Sequence, residues 1–256
     1  MENQFSNQSL IDTYENALQP VRDQALNSDI AERILDYSLD RDTVHLFWIF
    51  YNVLGVNMTE PVEDWICRAG EASIAKGYEI LGKDLLKHAR HEAGHQKMMQ
   101  RDYANLIDLW NATHDEKISL SHFDGNTRPR VVREYEDIHE ENIVGPTPYC
   151  QVAIQYEIES LAPILGPKLI QYTRDICGED VLSKLSFITD HVEIDIAHTE
   201  FNKQVLSKFL KDFPETIEPL IEVGTESSTI YMRFFDYCMQ QAKDLKTSLM
   251  KEPEPA

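Results

Sequence analysis

Five of the nine histidines in this 256-residue chain fall in two short windows, KHARHEAGH and DHVEIDIAH. Both windows carry one spacing, His88-x3-Glu92-x2-His95 and His191-x3-Asp195-x2-His198. Residues i, i+4 and i+7 of a helix share a face, so each window offers imidazole, carboxylate and imidazole along a single stripe. Those are metal-ligand groups. A lone Glu-x-x-His on a surface helix is usually a solvated pair, the reading given to His91, Glu193 and His114. Two stripes on core helices differ, because buried carboxylates and imidazoles are costly unless paired or metal-bound.

A di-metal bundle needs further carboxylates, with a Glu on each of two helices and Glu-x-x-His on each of two others. In an antiparallel pair, residues equidistant from the turn lie at one height. Glu71 and Glu92 are equidistant from Leu81-Gly82, and Glu159 and Asp195 from Cys177. Glu63, about a turn at Gly77, and Glu157, about Ile176, stay open as alternatives. The expected ligand set is Glu71, Glu92, His95, Glu159, His191, Asp195 and His198. Its four carboxylates would cancel the charge of two divalent ions, and oxygen donors mixed with imidazole suit iron or manganese over copper or structural zinc. His88 is read as orienting a ligand or as a core histidine.

The elements that must position these groups are helices. With 10 Gly, 11 Pro and apolar residues mostly three and four apart, the pattern favours helix throughout and shows no convincing strand. Helices are expected at 30–39 and 43–54, from Pro61 to Glu79, from Lys83 to Trp110, through Val131 to Glu141, from Tyr149 to Ile176, from Val181 to Asp212 and from Glu215 to Met250. Asp124-Gly125-Asn126 signals a turn. The expectation is a single all-α domain of about seven helices over residues 1–256.

Lys and Arg number 24 against 44 Asp and Glu, a formal charge of -20. That balance argues against nucleic acid and anionic membrane as partners. No window approaches the roughly 18 to 20 apolar residues that span a bilayer, and the N-terminus lacks a basic stretch followed by an apolar run. Four separated cysteines with no C-x-x-C pair suggest a reducing compartment. A cytoplasmic location is expected.

The elements Glu92-x-x-His95, Tyr156-x-x-Glu159 and His191-x3-Asp195-x2-His198 resemble the ligand pattern of the haem-oxygenase-like di-iron oxidases, which include iron-containing redox enzymes of natural-product pathways. The resemblance runs over about residues 65–210. It implies a seven-helix bundle in which two Fe(II) ions activate O2 as co-substrate to N-oxygenate, desaturate, decarboxylate or cleave a small amino-acid-derived or fatty-acid substrate. An external electron donor is needed where the substrate does not supply all four electrons. Bundles of this kind are commonly dimeric, so a homodimer is also open.

Aromatic residues Phe47, Trp48, Phe50, Tyr51, Tyr156, Phe234 and Phe235 are candidates for a water-excluding pocket, and Arg68 and Lys76 for meeting a substrate carboxylate. Three competing functions use the same helices. A non-redox enzyme of thiamine-degrading or cofactorless-oxidase type would use Cys67 or Cys150 as nucleophile. A ferritin-like N-oxygenase or iron store would take Glu63 as its first ligand. A non-catalytic interaction module would leave the buried polar set without purpose.

Overall fold

The computed structural model describes residues 9–123 and 128–250, so the turn expected at Asp124-Gly125-Asn126 lies outside the described residues. Helix α1 (Leu10–Gln24) opens on a capping box in which Ser9 and Asp12 satisfy each other's backbone amides. It is followed by α2 (Asp29–Ile34), α3 (Arg41–Thr59), α4 (Val62–Ala75), α5 (Glu79–Glu92) and α6 (Gln96–Thr113). The chain continues through α7 (Arg130–Val144), α8 (Gln151–Cys177), α9 (Glu179–Leu182), α10 (Ser186–Asp212) and α11 (Ile217–Leu249). No strand occurs among the described residues, which bears out the all-α expectation. The count of seven is corrected upward.

Three departures, together with the stretch 30–54, read as one or two helices, being the two helices α2 and α3, account for the difference. The sequence reading missed α1, although Ser9 and Asp12 signal its start. It also merged α9 with α10, and it ran α5 and α6 together as one long helix. Gly94 separates the last two: its φ of +90° is a left-handed conformation that an L residue adopts only with strain.

Helix α3 is buried from Thr43 to Gly55, as an all-round apolar helix must be. It packs against α6, α8 and α11, and α11 in turn covers α1, α2 and α7. Against this core lie two hairpins, α4 with α5 and α8 with α10. In the first, Gly70 and Gly82 bring the backbones together, since a Cβ on Gly82 would sit 2.4 Å from the Gly70 carbonyl oxygen. The turn is at Gly77, with φ +93°, and not at Leu81-Gly82. No helix among the described residues is long and apolar enough to cross a membrane.

Candidate functional site

Helices α5, α8 and α10 deliver acidic and imidazole side chains to one place, with His95 added from the N-cap of α6. His88 is 1% exposed, Asp195 5%, Glu159 6% and His191 7%. His88 Nε2 lies 2.9 Å from Glu159 Oε1 and 3.8 Å from Glu92 Oε1. His198 Nδ1 lies 3.3 Å from Glu92 Oε1, 3.8 Å from Glu159 Oε1 and 3.6 Å from Asp195 Oδ1. On the other side of Glu92, Oε2 is 3.1 Å from His95 Nδ1, and His95 Nδ1 is 3.2 Å from His191 Nε2. Glu92 therefore stands between two groups of donors, one on each carboxylate oxygen.

Six of the seven expected ligands thus converge: Glu92, His95, Glu159, His191, Asp195 and His198. Glu71 does not. It is exposed on α4, and because the hairpin reflects about residue 76, it is level with Leu81. That is eleven residues (81 to 92) before Glu92, about 16 Å along the helix. Glu63 is exposed as well, which leaves α4 without a carboxylate at the site.

Glu157 is fully buried but belongs elsewhere. Its carboxylate accepts from Arg22 Nε at 2.8 Å and Nη2 at 2.7 Å, and from the Tyr14 hydroxyl at 2.9 Å. Residues 157 and 159 of a helix point about 160° apart, so one faces α1 and the other the cluster.

Several groups that orient the site carry no motif. Asn202 donates Nδ2 to Glu159 Oε2 at 2.6 Å; it follows His198 by four residues and extends the same stripe, which was the available signal. His191 donates Nδ1–H to the Phe187 carbonyl at 2.7 Å, leaving Nε2 as the lone pair toward His95 in the neutral ring. Asp102 of α6 accepts from the Ser186 hydroxyl at 2.6 Å and the Phe187 amide at 2.7 Å. It thereby fixes the start of α10 against α6.

The electrostatics are those of a crowded anionic site. Burial, then the neighbouring charges of Glu92 and Asp195, push the Glu159 carboxyl well above the usual carboxylate range. Burial also acts to raise Glu92, but the hydrogen bond with His95 and the charges of three imidazoles outweigh it and lower its pKa. Burial lowers His88 to about 4 and lowers His191. The neighbouring carboxylates raise His95, chiefly Glu92, and His198, chiefly Asp195.

Five buried atoms at the cluster have no hydrogen-bond partner among the described residues: both ring nitrogens of His88, Glu92 Oε1, Glu159 Oε1 and His198 Nδ1. Leaving buried donors or acceptors unsatisfied costs about 1–3 kcal/mol each, and a cation held by His88, Glu92 and Glu159 would engage three of them. Ligand atoms of His88, Glu92 and Glu159 all lie within 4.8 Å of one another. The donor set fits a transition-metal ion of the iron or manganese kind.

A cavity of about 90 Å³ opens beside the cluster, lined by Glu92, His95, Glu159, His191 and Asp195 on one side. Its other walls are mostly apolar, including Met58, Val62, Leu161, Leu165, Phe187 and Ile188, with the hydroxyls of Tyr51 and Tyr231 3.3 Å apart. Of the aromatic residues expected to line a pocket, only Tyr51 and Phe235 do so. No Arg or Lys among the described residues lines it: Arg68 pairs with Asp64 and Glu140, and Lys76 is exposed. No cysteine lines it either.

No protein-family model matches the chain, and a search of curated proteins finds no match. Solved structures do match. A domain of unknown function with a haem-oxygenase-like fold from Shewanella denitrificans is 15% identical, with a TM-score of 0.67 over 98% of this chain and 100% of that one. A TenA homologue from Pseudomonas syringae pv. tomato is 12% identical, with a TM-score of 0.64 over 94% of this chain and 99% of that one. The chain has the haem-oxygenase-like fold.

Proposed function

We propose that the chain is a non-haem di-iron oxidase, with Glu92, His95, Glu159, His191, Asp195 and His198 as the ligands of two ferrous ions. The observation that carries this reading is the gathering of buried imidazole and carboxylate groups against both oxygens of Glu92, with partnerless buried atoms on its Oε1 side. When bound, the ions would supply electrons to O2 so that a small amino-acid-derived or fatty-acid substrate is oxidised, with an external donor for any electrons the substrate lacks.

The protein's own residues set the conditions for that chemistry. The apolar wall of the cavity keeps water from the centre. Burial keeps the Tyr51 and Tyr231 hydroxyls protonated; one donates to the other, which leaves one O–H to donate to whatever occupies the cavity. Asn202 holds one oxygen of Glu159 and leaves the other for the cluster. With Glu71 outside the site, three carboxylates face two divalent ions, and the filled centre carries a net positive charge.

The non-redox alternative finds less support. Cys67 and Cys150 are both off the cavity, and burial raises the pKa of each thiol, that of Cys150 to about 12, where a nucleophilic thiol needs the opposite. The test is oxygen uptake: iron-loaded protein should consume O2 faster with a substrate drawn from free amino acids and fatty acids, with an oxidised product seen by mass spectrometry. Iron-loaded protein inert toward O2 throughout would reject the oxidase reading.

A further inference from the structure

The two sides of Glu92 are not equivalent. His95, His191 and Asp195 line the cavity, whereas His88 and His198 do not. At the cluster, the partnerless buried atoms among the described residues belong to His88, Glu92, Glu159 and His198, and none belongs to His95, His191 or Asp195.

Their separations decide what that group can be. Between the two imidazole nitrogens and the two carboxylate oxygens, the four distances are 2.9, 3.8, 3.3 and 3.8 Å. Donors placed tetrahedrally about 2.1 Å from one ion lie roughly 3.4 Å apart. Of these residues, His88, Glu92 and Glu159 have ligand atoms that all lie within 4.8 Å of one another, so they have the spread of one ion's ligands, and the group is incomplete without His88. The His88 ring is held from outside by Phe201, which lies parallel to it with centroids 5.8 Å apart. Lys87 covers the Phe201 ring in turn.

We propose that His88 is a seventh protein ligand, which with Glu92 and Glu159 holds an ion in a remote position shut off from the cavity, and that the position at Glu92 Oε2, His95, His191 and Asp195, which faces the cavity, is the one open to an exogenous ligand. The proposal rests on the metal-binding reading above. An ion shut off from the cavity is held in place, and one with an open position does chemistry. The two ions thus have separate tasks, and the remote position fills first.

Cobalt(II) titrated into metal-free protein under argon tests this, followed by visible absorption and chelator competition, with azide as the exogenous ligand. Wild type should bind two equivalents of unequal affinity. Azide should leave the spectrum of the first unchanged and shift that of the second. His88→Ala should weaken the first equivalent by more than the roughly 10- to 100-fold that loss of an outer-shell partner costs, while the second remains azide-sensitive. His88→Gln, closer in volume, guards against misfolding, and circular dichroism checks both variants. Azide shifting the first equivalent would overturn the proposal, as would His88→Ala binding both within tenfold of wild type; either leaves the di-metal reading intact. Wild type that binds no cobalt would overturn both.

Discussion

Asn202 and Glu159 meet across the α8–α10 hairpin, with the amide Nδ2 donating to Glu159 Oε2 at 2.6 Å. This contact shows the register of the hairpin. The short α9 turn after Gly178 moves the point of reflection to about residue 180, so Asn202, not Asp195, is level with Glu159. Asp195 still reaches the cluster because it sits two helical turns away on the same face.

The contact gives the first prediction. Asn202→Ala frees Glu159 to rotate and should lower metal affinity by about 10- to 100-fold, measured by chelator competition. Unchanged affinity would show that packing alone holds Glu159.

Glu71 supplies the complementary case. Exposed on α4 and level with Leu81, it should be dispensable: Glu71→Gln is expected to keep two-equivalent iron binding with affinity within about twofold. A lost equivalent would mean that α4 contributes a ligand after all.

Gly94 matters because of where it turns the chain. Alanine there must adopt φ near +90°, costing of order 1–3 kcal/mol, or relax the break between α5 and α6 and carry His95 away from Glu92. Gly94→Ala should therefore lower the urea midpoint and weaken metal binding on the cavity side. Wild-type values for both would contradict the role given to the break.

Arg22 neutralises Glu157 in a site where Glu157 is fully buried. Arg22→Ala leaves an unpaired buried carboxylate and should cost about 3–5 kcal/mol in urea unfolding. Adding Glu157→Gln should restore a large part of that loss. If the double variant is no more stable than Arg22→Ala, the loss comes from packing of the arginine stem.

Acid sensitivity follows from two histidines remote from the cluster. Burial lowers His45 and His139 to about 4 from the ordinary 6.5. The unfolded chain binds these protons first as pH drops, so their contribution is full above about pH 6.5 and is lost on the way down to 4. Each is worth about 3 kcal/mol at most. The urea midpoint of metal-free protein should fall steadily over that window; a flat profile from pH 7 to 4.5 would refute the assignment.

Much of the site could be read from the sequence where ligands repeat along one helix. The stripe of His191, Asp195 and His198 lies on α10 as its spacing implies, and Glu159 faces it. What failed was level. Glu71 depended on knowing the turn, and Gly77 and Gly82 were both credible turn residues until the close contact of Gly70 with Gly82 fixed it. His95 came to the right place for a partly wrong reason: it stands past the helix break at Gly94, so Glu92 and His95 do not share one continuous helix. The role of His88 depends on which buried atoms lack partners, and spacing carries no such information.

The central claim is that one carboxylate, Glu92, is shared by two metal positions. Anaerobic titration of metal-free protein with ferrous iron, with bound iron counted after desalting, tests it most directly. The account predicts two ions per chain in the wild type and the loss of both sites' wild-type affinity in Glu92→Ala. Binding of one iron or none by the wild type, or two undiminished sites in Glu92→Ala, would contradict it.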